Sequence, residues 1–128
     1  MSTVYRIQCT ACTWGPFNCR CASWATERQA IMDRSSTDFF LSTRPGMWAD
    51  FPHETHTAME QFYCGFSSVE QIFDWFSSEE LVSFRDNGFM LQVYNAVPGD
   101  LAKSKSGSQI FFRRASCVLM RNCEVPRG

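Results

Sequence analysis

The 128-residue chain has no long apolar run, no leader-like start, no glycine-rich phosphate loop and no Gly-x-Ser-x-Gly elbow. The first two absences argue against a membrane span and against secretion, so a cytoplasmic protein is expected. Without the third, the common backbone cradle for nucleotide phosphates is missing. Gly65 alone precedes the clearest helix start, and Ser67 and Ser68 there read as helix caps. Lack of the fourth removes the usual hydrolase nucleophile. His53 and His56 stand three apart behind Pro52. A zinc-protease helix needs them four apart, so this pair reads as surface loop. Neither a repeat nor an interdomain linker interrupts the chain, and residues 1–128 are read as one domain.

Positive charge is scarce in one place. Residues 50–88 hold eight carboxylates against Arg85 alone, inside a chain whose net charge is −1. Basic residues gather on either side, with Lys103, Lys105, Arg113 and Arg114 the densest group. That group is small and the pI is near 6.1, which speaks against direct nucleic-acid binding. Charge asymmetry of this kind bears on partners rather than on fold.

Aromatic and thiol side chains, by contrast, are abundant. Twelve Phe, four Trp and three Tyr can fill one core. Seven cysteines, an odd number without a secretory leader, do not read as a disulfide framework. Cys9-x-x-Cys12 followed by Cys19-x-Cys21 could offer four thiolates to zinc. The second gap is tighter than the usual two residues, so buried or half-buried thiols are the preferred reading and no metal or cofactor is assigned.

Periodicity predicts an α+β fold: a small, mainly antiparallel sheet, two short consecutive helices and a loop-rich N-terminal half. Val4–Thr10 alternates as a strand, with Tyr5, Ile7 and Cys9 on one face and Arg6 and Gln8 on the other. A short helix is expected around Thr26–Asp33, and a short strand over Phe62–Phe66. A helix then starts at Ser67 or Ser68, paired with Glu70 or Gln71 as a capping box, and turns Val69, Ile72, Phe73 and Phe76 to one face. Ser77 and Glu80 repeat the capping pattern for a second helix, which carries Leu81 and Phe84 inward and stops at Gly88. Phe89–Val97 alternates again. Its expected partner is Gln109–Arg114, Cys117–Arg121 is a further strand, and the tail beyond Asn122 is expected to fray.

The helical stretch also carries the expected binding surface. Glu70, Asp74, Glu79 and Glu80 supply negative charge, and Phe66 and Trp75 are the aromatic anchors. Anchors give affinity, and acids speed encounter with a basic partner. Solvation of a polar face is the plainer account of the same acids.

Tyr5-Arg6-Ile7, Gly15-Pro16-Phe17, Cys64-Gly65-Phe66-Ser67-Ser68-x-Glu70-Gln71-Ile72-x-x-Trp75-Phe76, Gly88-Phe89 and Gln109-Ile110-Phe111-Phe112 resemble small phage and prophage proteins. Inhibitors of type I CRISPR systems (anti-CRISPR proteins) are among proteins of this kind. The resemblance implies a non-catalytic inhibitor that binds the effector complex or its nuclease-helicase in the host cell cytoplasm. An alternative likeness is to ADP-ribosyltransferase-like NAD-binding folds, through Arg6 and Phe66-Ser67-Ser68, or to a degenerate, non-catalytic form of them. Those folds need a late catalytic glutamate, and Glu124, in the tail, is the one acid there.

Overall fold

The computed structural model describes residues 2–12, 14–16, 19–35, 62–103 and 109–127. The His53 and His56 pair and most of the expected N-terminal loop region lie outside the described residues. Strand β1 (Ser2–Cys9) leads through a turn and a 3₁₀ segment (Ala22–Trp24) into helix α1 (Ala25–Ser35). Then come β2 (Phe62–Gly65), α2 (Val69–Trp75), α3 (Ser78–Asp86), β3 (Phe89–Ala96), a 3₁₀ turn (Pro98–Asp100), β4 (Leu101–Lys103), β5 (Ile110–Arg113) and β6 (Val118–Cys123). The α+β expectation holds. Its sheet does not stay single: among the described residues all pairs are antiparallel, but they sort into two three-stranded sheets ordered β1-β3-β6 and β2-β5-β4.

This corrects the expected pairing of β3 with β5. Strand β3 is the centre of the first sheet, flanked by β1 and β6, and β5 is the centre of the second, flanked by β2 and β4. The reason is that β3 is buried on both faces, so it needs a partner on each edge and a cover on each side. On one face, the register sets Ile7 opposite Leu91 and Cys9 opposite Phe89. These join Trp24, Ile31, Ile72, Leu81 and Phe84 from the helical side in the main core. On the other face Val4 stands opposite Tyr94. They pack with Ile110 and Phe112 of the second sheet.

Arg6 and Gln8, set on the face opposite Tyr5, Ile7 and Cys9 as the alternation predicts, share that second face with Gln92. All three are buried. Burial of polar side chains is tolerated where their hydrogen bonds are made. Arg6 Nε donates to Gln8 Oε1 (2.8 Å), Tyr94 Oη donates to Gln92 Oε1 (2.8 Å), and Gln92 Nε2 donates to Asn122 Oδ1 (2.9 Å). At Gly65 the second sheet comes against β1 of the first. A Cβ there would stand 2.8 Å from the Tyr5 carbonyl oxygen and 2.9 Å from the Phe112 ring. Glycine is what lets the Tyr5–Phe66 bridge form, with its two backbone hydrogen bonds of 2.8 Å.

Both helix starts follow their caps. Ser68, not Ser67, caps α2 and accepts from the Gln71 amide, while the Gln71 side chain reaches back to Ser67. Ser77 and Glu80 form the full reciprocal box at α3. Gly88, at φ +85°, ends α3 as expected. Two details differ. Phe73 is 40% exposed instead of facing the core. The tail is held: β6 runs to Cys123 and Val125 is buried in the main core.

Candidate functional site

Of the six residues expected to meet a partner, three are on the surface. Glu70, Asp74 and Glu79 are exposed. The other three are interior, which corrects their assignment as contact residues. Glu80 is 1% exposed, because its Oε1 accepts from the Ser77 backbone N–H at 2.9 Å and the carboxylate is folded back over the helix start. Phe66 and Trp75 are buried against each other in edge-to-face geometry, 5.7 Å between centroids, and Phe66 also meets Phe76 at 6.2 Å. They stabilise the core between β2 and α2.

The surface that remains has its own pattern. On α2, Glu70, Phe73 and Asp74 fall at i, i+3 and i+4 and are all exposed. On α3, Glu79, Val82 and Asp86 fall at i, i+3 and i+7 and are likewise exposed. Each helix thus shows water an apolar side chain with acids before and after it, at helical spacing. Phe73 and Val82 (46% exposed) are the apolar side chains these helix faces show to water, where Phe66 and Trp75 were expected. Sequence reasoning missed them because Phe73 also fits the apolar stripe of α2.

A second constellation surrounds Arg6. Its Nη1 donates to the Cys64 carbonyl at 2.7 Å, and its guanidinium lies 4.5 Å from the Tyr63 ring centre. Arg114 stacks on the same ring at 4.6 Å and on Trp14 at 5.0 Å. Burial pushes the Cys64 thiol up to about 12, despite the opposing pull of Arg6 and Arg114. A thiol so held is protonated at neutral pH and is no nucleophile. The side chain of Arg6, which the transferase likeness would turn toward NAD, is engaged by Gln8, Cys64 and Tyr63. Ser68 caps α2, and Ser67 bonds Gln71 through its hydroxyl.

The third constellation is the cysteines. Cys9 ends β1, Cys12 lies in the following turn, and Cys19 and Cys21 precede the 3₁₀ segment. The Cys9 amide donates to the Trp14 carbonyl (2.8 Å), the Cys19 amide to Gly15 (2.9 Å), and the Trp24 amide to Cys21 (2.9 Å). Trp24 Nε1 donates to the Pro16 carbonyl at 2.8 Å, and its ring packs on Phe89 at 4.7 Å and Phe84 at 5.7 Å. This fold-back brings all four sulfurs within 4.8 Å of one another. Cys9 and Cys19 are buried, Cys12 and Cys21 half-buried. Burial raises the Cys9 thiol, but N–H groups of Cys12 and Ala11 and the neighbouring thiols together bring it below its ordinary value. Cys19 is pushed up to about 12, chiefly by burial. The sequence offered the Cys9-x-x-Cys12 spacing as a signal. It also offered Cys19-x-Cys21 as the second pair, but the tight gap favoured plain thiols, and only the fold shows the four sulfurs meeting.

A family model described as Bacteriophage T4 Y00F protein matches residues 1–126. The chain belongs to this phage family. The resemblance to small phage proteins therefore holds at the level of a phage-encoded protein. No curated protein and no solved structure matches the chain. Among the described residues, no helix of this phage protein is long and apolar enough to cross a membrane.

Proposed function

We propose that this phage protein is non-catalytic and acts by binding a host protein with a basic surface, through the outer faces of α2 and α3. The observation that carries this reading is the exposed acid–apolar pattern, Glu70-Phe73-Asp74 and Glu79-Val82-Asp86. Desolvated apolar anchors supply most of an interface's energy, and the surrounding charge sets its encounter rate and salt dependence. Basic protein surfaces commonly serve nucleic acids, so an acidic ligand competes with phosphate for the same residues. The partner class implied by the resemblance is a bacterial defence complex: a type I CRISPR effector or its nuclease-helicase. On this reading the protein is an inhibitor that needs no cofactor of its own for binding.

The test is binding of the purified full chain to a purified type I effector complex and, separately, to its nuclease-helicase, across a salt series. Affinity for one of them should fall steeply with salt. It should drop at least about tenfold in the double variant Asp74→Lys/Glu79→Lys, and in Phe73→Ala, with melting temperatures near wild type. Binding that ignores both charge reversal and salt sinks the surface assignment. Absence of binding to both complexes sinks the partner class.

A further inference from the structure

We propose that Cys9, Cys12, Cys19 and Cys21 together bind one zinc ion, as a structural centre that locks the segment between β1 and α1. The assignment is independent of the partner surface.

Geometry carries it. Four thiolates around one zinc at about 2.3 Å form a tetrahedron whose sulfur–sulfur edges are about 3.8 Å. The Cys9–Cys21 and Cys12–Cys19 sulfurs stand 3.9 Å and 3.5 Å apart, on either side of that value, and every pair lies within 4.8 Å. A shared ion needs only tenths of an ångström of adjustment at these two edges. The four cysteines are free thiols, and their separations are well beyond the bonded sulfur–sulfur distance of about 2.05 Å. Sulfurs this close can all meet on a single ion, whereas the four thiolates of a multinuclear iron–sulfur cluster are divided among two or more irons and do not all converge on one.

The surroundings fit a thiolate site. Backbone N–H groups of Ala11 and Cys12 point at the Cys9 sulfur. Such donors stabilise sulfur-borne charge and orient the ligand. Four protein ligands leave no open coordination position, which is the signature of a structural centre rather than a catalytic one. The centre also has something to hold. Cys9 and Cys19 belong to the main core, with Cys12 and Cys21 packed against it, and the loop they close delivers Trp24 between Phe84 and Phe89. On zinc binding the thiols release protons and the ion takes their sulfurs; no redox partner is required.

The test is metal analysis of the full chain, expressed with zinc in the medium and purified in reducing, chelator-free buffer. One zinc per chain is expected. Cys12→Ser and Cys21→Ser, at the half-buried ligands, should lose nearly all of it, and Cys117→Ser, outside the cluster, should keep it. Should a serine variant fail to fold, wild type stripped of metal answers instead. Cobalt(II) should then give the intense visible and near-ultraviolet bands of a tetrahedral thiolate complex, saturating at one equivalent and erased by zinc. A chain that carries no stoichiometric metal and shows no such bands overturns the proposal. So does iron as the bound metal, zinc lost equally from Cys117→Ser, or intact-mass evidence of disulfides within the cluster.

Discussion

Glu79 and Glu80 are chemically alike and adjacent, yet the structure gives them opposite environments, and alanine substitution should separate them. Glu80 is 1% exposed and accepts a hydrogen bond from the Ser77 amide at 2.9 Å. Loss of that capping interaction costs about 1–2 kcal/mol. The one buried methylene that alanine lacks, Cγ, adds about 0.8 kcal/mol. Alanine also relieves the ordering and desolvation of a glutamate, roughly 1–2 kcal/mol in the other direction. The net for Glu80→Ala is then about 1 kcal/mol, or a fall in melting temperature of about 3–6 °C for a domain of this length. Glu79→Ala removes an exposed acid near a helix start, and its effect should stay within about 0.5 kcal/mol. Thermal and urea unfolding of the two variants side by side make the measurement. A double-mutant cycle of Ser77→Ala with Glu80→Ala should return a coupling of about 1 kcal/mol, because the two side chains serve one box. Equal losses from Glu79→Ala and Glu80→Ala would refute the reasoning, and so would a Glu80→Ala chain as stable as wild type.

Two further outcomes follow from the core. Gly65→Ala should destabilise by about 1–3 kcal/mol, since the new Cβ meets the Tyr5 carbonyl at 2.8 Å and backbone must move; urea denaturation checks it, and a neutral result would mean that the sheets are not so close. Cys64, with its thiol pushed up to about 12 by burial, should resist alkylation in the native protein at pH 8 and react on unfolding, as read by mass spectrometry of the modified peptide. Because the unfolded thiol ionises near 9.0 and the folded one does not, the stability Cys64 contributes is full below that pH and is lost as pH rises from there toward 12. A Cys64→Ala chain should show a shallower alkaline decline.

The chain's local grammar was legible. Ser77-x-x-Glu80 announced a capping box, Gly88 a left-handed stop, and the alternation through Val4–Cys9 and Phe89–Ala96 two strands, each because a few neighbouring residues settle it. The same Glu80 shows the limit of that grammar. Its capping role could be read from spacing, but its burial depends on what packs over the start of α3. Phe73 shows the reverse case, for it fits the apolar stripe and still faces water.

Sequence by itself thus determined the helix starts and stops, the strand faces, the single charged block and the supply of thiols, all of them properties of spacing along the chain. Tertiary structure decided the rest. The second sheet lies across the polar face of β1 and β3, so Arg6, Gln8 and Gln92 became an interior network instead of a wet surface. Trp24, seated between Phe84 and Phe89 from sixty residues downstream, folds its loop back and so carries Cys19 and Cys21 to Cys9 and Cys12. Contacts between segments this distant are set by which faces the core must bury, and no local pattern within residues 9–21 encodes them.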